Sequence, residues 1–147
     1  MARYRCTIET PLSVEDAFDY MARFSHASEW DPSVVRAEMV TDEPVGEGSE
    51  FEVVVRSLGR EMPFRYRVTE HDRPRRVVLR AERGSIVSED TVTVTALSVG
   101  GSAVTYDAEL RLSGPARILD PLLGLLFQGI GRKAESGLRR ELGKDRS

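Results

Sequence analysis

From Val34 to Leu112 the chain alternates apolar and polar residues in one segment after another, and only a few residues join each segment to the next. Phe51, Val53 and Val55 fall on one side, with Glu50, Glu52 and Arg56 on the other. Met62, Phe64, Tyr66 and Val68 oppose Arg65, Arg67 and Thr69, while Val77, Leu79 and Ala81 oppose Arg80 and Glu82. Val104, Tyr106, Ala108, Leu110 and Leu112 oppose Thr105, Asp107, Glu109 and Arg111. A period of two is the mark of strands with one dry face. The joints are Leu58-Gly59, Asp72-Arg73-Pro74, Gly84-Ser85 and Gly100-Gly101, all rich in turn formers. Parallel neighbours would need crossovers of roughly a dozen residues or more, for which there is no room. The pattern therefore predicts an antiparallel meander.

The flanks are different. Residues 2–10 form one more alternating strand, with Tyr4, Cys6 and Ile8 on its apolar face. Ser13-Val14-Glu15-Asp16 resembles a capping box, and Ala17, Phe18, Met21 and Ala22 continue it as an apolar helical face. A second short helix is expected over Ser25 to Trp30, ended by Pro32. Gly114-Pro115 closes the last strand and is expected to open a helix carrying Ile118, Leu119, Leu122, Leu123, Leu125, Leu126, Phe127 and Ile130. These side chains span an arc of roughly 200°, about twice what one sheet covers. Pro121 should kink the first turns or mark a shifted start. Gly124, Gly129, Gly131 and Gly137 should weaken the helix by up to ~1 kcal/mol each relative to alanine. Leu138 and Leu142 prolong its buried stripe. The expected class is α+β. A curved antiparallel sheet of about seven strands wraps around the long C-terminal helix, two short helices follow strand 1, and residues 1–147 make one domain.

This order matches the helix-grip fold. The local sequences Ser13-Val14-Glu15-Asp16-Ala17-Phe18-Asp19-Tyr20, Trp30-Asp31-Pro32 and Val45-Gly46-Glu47-Gly48-Ser49-Glu50-Phe51, with Gly100-Gly101-Ser102-Ala103-Val104-Thr105-Tyr106, resemble the polyketide cyclase/dehydrase-like branch of the SRPBCC (START-like) superfamily. The resemblance covers nearly the whole chain. It implies a cavity between sheet and helix for a lipid-, hormone- or polyketide-like molecule, and aromatase/cyclase activity in some members. It brings no invariant catalytic motif, so no catalytic residue is carried over.

Composition narrows the partners. A net charge of -3, with Arg, Glu and Asp interleaved, gives no electrostatic reason to expect nucleic acid. One cysteine, Cys6, allows no intrachain disulfide; with no signal peptide evident, a cytoplasmic location is expected. No run approaches the ~18 apolar residues of a membrane span. No His, Cys and carboxylate spacing fits a metal site, and no dinucleotide or phosphate-binding loop appears, so no cofactor is expected.

The cavity lining is expected from inward strand positions and the last helix, with Trp30 at the mouth or under the small helices. The ligand-binding candidates are Trp30, Phe51, Phe64, Tyr66, Ser88, Asp90, Tyr106, Leu122, Leu126 and Phe127, with Val53, Leu79, Val92 and Leu110 as further apolar wall. Tyr66 and Tyr106 lie on dry faces, where each phenol needs a partner. Ser88 and Asp90 share phase with Ile86, Val92 and Val94. Pointing inward, Asp90 would be a carboxyl of raised pKa fit for proton transfer; a bulge would turn it to solvent. Tyr66, Tyr106 and Asp90 are thus the catalytic candidates if there is chemistry. His26 reads as a helix-end residue and His71 as turn chemistry beside Asp72.

The leading expectation is binding or transport of a small hydrophobic molecule in a pocket of about 300 Å³ or more. One alternative is an aromatase/cyclase or dehydratase-type enzyme. Another is an interaction module, in which the excess apolar arc of the last helix meets a partner protein, a membrane surface or a second copy in a homodimer.

Overall fold

The computed structural model describes residues 2–115 and 120–144, with residues 120–123 and 125 described by backbone alone. Strand β1 (Ala2–Thr10) leads into helix α1 (Val14–Ala22), a 3-10 turn (Phe24–His26) and the single turn of α2 (Ala27–Trp30). Six strands follow: β2 (Val34–Met39), β3 (Glu50–Ser57), β4 (Arg60–Asp72), β5 (Arg76–Arg83), β6 (Ile86–Ala96) and β7 (Ser102–Leu112). Helix α3 (Asp120–Leu142) closes the chain. The strands form one antiparallel sheet in the order β1-β7-β6-β5-β4-β3-β2. The meander runs in sequence from β2 to β7, and β1 then pairs with β7, Cys6 opposite Tyr106.

Alternation fixes which face is dry. Along β6, Ser88, Asp90, Val92 and Val94 are buried while Glu89, Thr91 and Thr93 are not. On the wet face, Arg65 of β4 lies 3.7 Å from Glu50 and 3.6 Å from Glu52 of β3, the cross-strand pairing the alternation predicts. Exposed pairs of this kind contribute only about 0.2–1 kcal/mol. The Leu58-Gly59 link is a two-residue hairpin with both residues at positive φ, 54° and 76°. That is the turn whose twist matches the flanking strands.

Helix α1 is capped as its sequence predicts, the Asp16 N–H donating to the Ser13 hydroxyl at 3.1 Å. The second helix departs from expectation: Ser25 to Trp30 is split between the 3-10 turn and α2. His71 belongs to the end of β4 and is not a turn residue; its ring packs edge-on against Phe18 at 5.2 Å. The expected opening of the last helix at Pro115 adjoins residues outside those described. Among the described residues its helical run is Asp120–Leu142, with Pro121 within it.

Two glycines of α3 mark close approach. A Cβ on Gly137 would stand 1.8 Å from the Trp30 carbonyl oxygen, and one on Gly131 would stand 2.3 Å from the Tyr4 ring. Bare backbone here lets α3 press against α2 and β1. Tyr4 then donates its hydroxyl to Glu135 one turn further on, and Glu135 also accepts from Arg139 at 2.7 Å. Near the helix end, the Thr10 hydroxyl donates to the Leu142 carbonyl at 2.6 Å, satisfying one of the free acceptors there. Leu138 and Leu142 are fully buried. The sheet thereby holds α3 by its C-terminal half and leaves the space beneath residues 126–130 open.

Candidate functional site

That space is a cavity of about 170 Å³. Its floor is the dry face of β3, β4, β6 and β7, represented by Val53, Phe64, Tyr66, Ser88, Asp90, Tyr106, Ala108 and Leu110. Phe24, Ala27 and Trp30 form one wall, and Leu126, Phe127 and Ile130 of α3 form the lid. A second hollow of about 260 Å³ shares Ser33, Ser57, Leu126 and Ile130 with it and is rimmed by Pro32, Arg56, Leu58 and Lys133. It is the mouth. Leu58 is 84 % exposed there and Leu126 is 40 % exposed, so the opening has apolar lips.

The ligand-binding candidates divide accordingly. Trp30, Phe64, Tyr66, Ser88, Asp90, Tyr106, Leu126 and Phe127 all line the cavity. Phe51 does not: it is wholly buried in the core, opposite Tyr66 on β4. Leu79 and Val92 are likewise solid core and not wall. The side chain of Leu122 lies outside the described residues. The inward phase of β6 holds without a flip, because its register with β7 is continuous from Ile86↔Leu112 to Ala96↔Ser102.

Register explains the polar contacts. Asp90 pairs with Ala108, so Tyr106 is its diagonal neighbour on the same face. The Tyr106 hydroxyl donates to Asp90 Oδ2 at 3.0 Å. Arg67 pairs with Arg80 and Ala81 with Ser88, so Tyr66 reaches over the small Ala81 to share a 2.6 Å hydrogen bond with the Ser88 hydroxyl. Rings pack around these groups: Trp30 stands edge-on to Tyr106 at 5.1 Å, and Phe24 edge-on to Tyr66 at 5.0 Å.

Asp31, Ser33 and Ser57 complete the polar set, and none of them is among the ligand-binding candidates read from the sequence. Asp31 follows α2 directly, and its Oδ1 accepts from the Ser33 N–H at 2.9 Å and from the Ser33 hydroxyl at 2.7 Å. The local signal is an aspartate two residues before a serine in an Asx-type turn. What that signal lacks is depth: both residues reach the cavity only because β3 and α3 close around them.

Burial sets the electrostatics. It pushes the Asp90 carboxyl up to about 7, against the pull of the Tyr106 hydrogen bond, and the charge on Asp31 pushes the same way as burial. The Asp31 carboxyl is also raised by burial, with the two Ser33 hydrogen bonds opposing. Both phenols, Tyr66 and Tyr106, are held well above the usual tyrosine range, first by burial and then by Asp90. At neutral pH the site therefore holds neutral phenols and a carboxyl able to gain or lose a proton.

A hollow on the opposite side of the small helices, about 320 Å³ in volume, contains Asp19, Arg23, Glu43, His71 and Arg73. Its charges are mutually satisfied, Arg23 on Glu43 at 2.6 Å and Arg73 on Asp19 at 2.7 Å. It is an ion-paired groove. Among the described residues no helix is long and apolar enough to cross a membrane.

The chain resembles known proteins along its whole length. A Mycobacterium tuberculosis protein, MT1597, described only as uncharacterized, is 27% identical over 143 residues, covering 95% of this chain and 96% of its own. A START superfamily protein from Mycobacterium smegmatis superposes with a TM-score of 0.77 at 14% identity, over 97% of each chain. The protein TTHA0849 from Thermus thermophilus superposes with a TM-score of 0.74 at 19% identity, covering 96% of this chain and 95% of that one. At such identities the structural likeness establishes the shared START-like, helix-grip fold. The family model described as polyketide cyclase / dehydrase and lipid transport matches residues 1–143. The sheet that grips α3, the cavity beneath it and this match agree: the chain belongs to the polyketide cyclase / dehydrase and lipid transport family of START-like proteins.

Proposed function

We propose that the protein binds and carries a small hydrophobic molecule in the cavity beneath α3. One observation carries this reading: an apolar hollow persists inside an otherwise close-packed interior and opens to solvent between apolar lips. At about 170 Å³ the enclosed part is smaller than the pocket the sequence leads one to expect. An engineered apolar cavity of about 150 Å³ holds one benzene. The ligand is therefore compact, a ring or short chain inside, with any remainder emerging past Leu126 and Leu58. Thermal shift across a panel of single-ring and short-chain apolar compounds tests this. Ligand-dependent shifts, lost when the cavity is filled by Ala108→Leu, are the expected result. Uniformly null shifts would overturn it.

A second reading is favoured by the contact of Tyr106 with Asp90. A buried carboxyl that titrates near neutrality beside a neutral phenol can move a proton to or from a carbonyl ligand, as cyclisation or dehydration of a polyketide-like substrate requires. Turnover that survives both Asp90→Asn and Tyr106→Phe would remove this reading.

A further inference from the structure

The polar groups of the cavity are unbalanced in favour of acceptors. Asp31 uses only Oδ1, which takes both Ser33 hydrogen bonds, and Asp90 uses only Oδ2, which takes the one from Tyr106. Among the described residues nothing donates to Asp31 Oδ2 or Asp90 Oδ1, although Asp90 is only 4 % exposed. The Ser33 and Tyr106 hydroxyl hydrogens are committed to these carboxylates. Tyr66 and Ser88 share one bond between them, which leaves one of their two hydroxyl hydrogens free, and the Ser57 hydroxyl makes no side-chain hydrogen bond among the described residues. No lysine, arginine or histidine is among the described residues that line the cavity itself; the cations stand at the mouth, Lys133 on α3 and Arg56 on β3, the latter paired with Glu61 at 2.5 Å.

A buried acceptor without a donor costs about 1–3 kcal/mol, more when charged. A guest that brings donors recovers that cost. A guest that brings a carboxylate adds a third anionic group to two that already disfavour each other's charge. Resting on the reading that the cavity holds a ligand, we propose that its ligand is a compact apolar amine whose nitrogen donates to Asp31 Oδ2 and Asp90 Oδ1, and that carboxylates are rejected. An alcohol, with one donor and no charge, falls between the two. The apolar body lies against Trp30, Phe64 and Phe127.

The pair also makes binding release protons. Around neutral pH Asp90 is partly protonated, and a cationic nitrogen beside it drives it to the carboxylate. The groups facing it are Tyr106 on β7, Tyr66 on β4 and Asp31 after α2, with Asp107 and Glu89 adding weaker repulsion. None is a cation that could replace the ligand's charge.

The test uses three matched probes, 4-phenylbutylamine, 4-phenylbutan-1-ol and 4-phenylbutanoate, titrated into the full chain by calorimetry at pH 7 in two buffers of different ionisation heat. The amine should bind at least tenfold tighter than the carboxylate and should release protons, seen as a heat that changes with buffer. Asp90→Asn, which keeps an acceptor for Tyr106, should abolish the proton release and shrink the preference. Asp31→Asn should shrink it independently. A carboxylate that binds as tightly as the amine, or amine binding without proton release, overturns the inference while leaving the cavity as a ligand site. Failure of all three probes to bind overturns both.

Discussion

Tyr106 and Asp90 sit on adjacent strands, diagonal across the β6–β7 ladder, and the phenol donates to the carboxyl at 3.0 Å inside a wall that is otherwise apolar. The arrangement ties a proton to the folded state. Asp90 ordinarily titrates at 3.8 and here at about 7, so between those values the folded chain holds a proton that the unfolded chain gives up. Its contribution to stability is full below about pH 4 and lost as pH rises through 7. Asp90→Asn should therefore match the parent at low pH and exceed it increasingly toward pH 8, by a few kcal/mol in order of magnitude. Urea midpoints at pH 5 and pH 8 for both proteins decide it; a constant difference would contradict the raised carboxyl.

Gly137 is where α3 meets the Trp30 carbonyl, and an added methyl would stand 1.8 Å from that oxygen. Backbone cannot yield as a side-chain tip does. Gly137→Ala should cost about 1–3 kcal/mol or more, despite the better helix propensity of alanine. Gly129→Ala meets nothing within 4 Å among the described residues and should instead gain up to about 1 kcal/mol. Thermal unfolding of the two variants should move in opposite directions.

Leu58 occupies the left-handed region at φ 54° with its side chain 84 % exposed. Neither fact helps folding. Asparagine accepts that conformation readily, so Leu58→Asn should stabilise the hairpin by about 1 kcal/mol. The same change removes one apolar lip of the mouth, so probes long enough to emerge should bind less well while a single-ring probe is unaffected. Denaturation and calorimetry on one variant separate the two effects.

Tyr4 lies over Gly131 and donates to Glu135, joining the first strand to the last helix. Burial, then Glu135, raises the Tyr4 phenol to about 12. Tyr4→Phe keeps the ring on the glycine and loses the hydrogen bond alone, a cost of about 1 kcal/mol. A loss several times larger in the chemical-denaturation midpoint would show that the hydroxyl organises the helix as well as bonding to it.

The strands could be read from Val53, Phe64, Tyr66 and Tyr106 because alternation records burial directly, and each of these does face inward. The same rule put Asp90 on the dry side, against its chemistry, and that placement holds. Phe51 shows the limit: period two reports which face is dry but not how far along the strand the hollow extends, so a core residue and a wall residue look alike. Gly131 and Gly137 show another, since a glycine that weakens an isolated helix cannot be told by its neighbours from one that admits a facing carbonyl. Asp31 could not be placed from its local sequence at all. Its depth is supplied by residues of β3 and α3 that are distant in the chain.

The pairing of β1 with β7 has a consequence for how the chain comes into being. Ala2 finds its place beside Leu110, so β1 must wait for a segment made about a hundred residues later before its open edge is covered. Until then Cys6 and Ile8 stay within reach of other nascent chains, and every step that hastens emergence of β7 shortens that hazard.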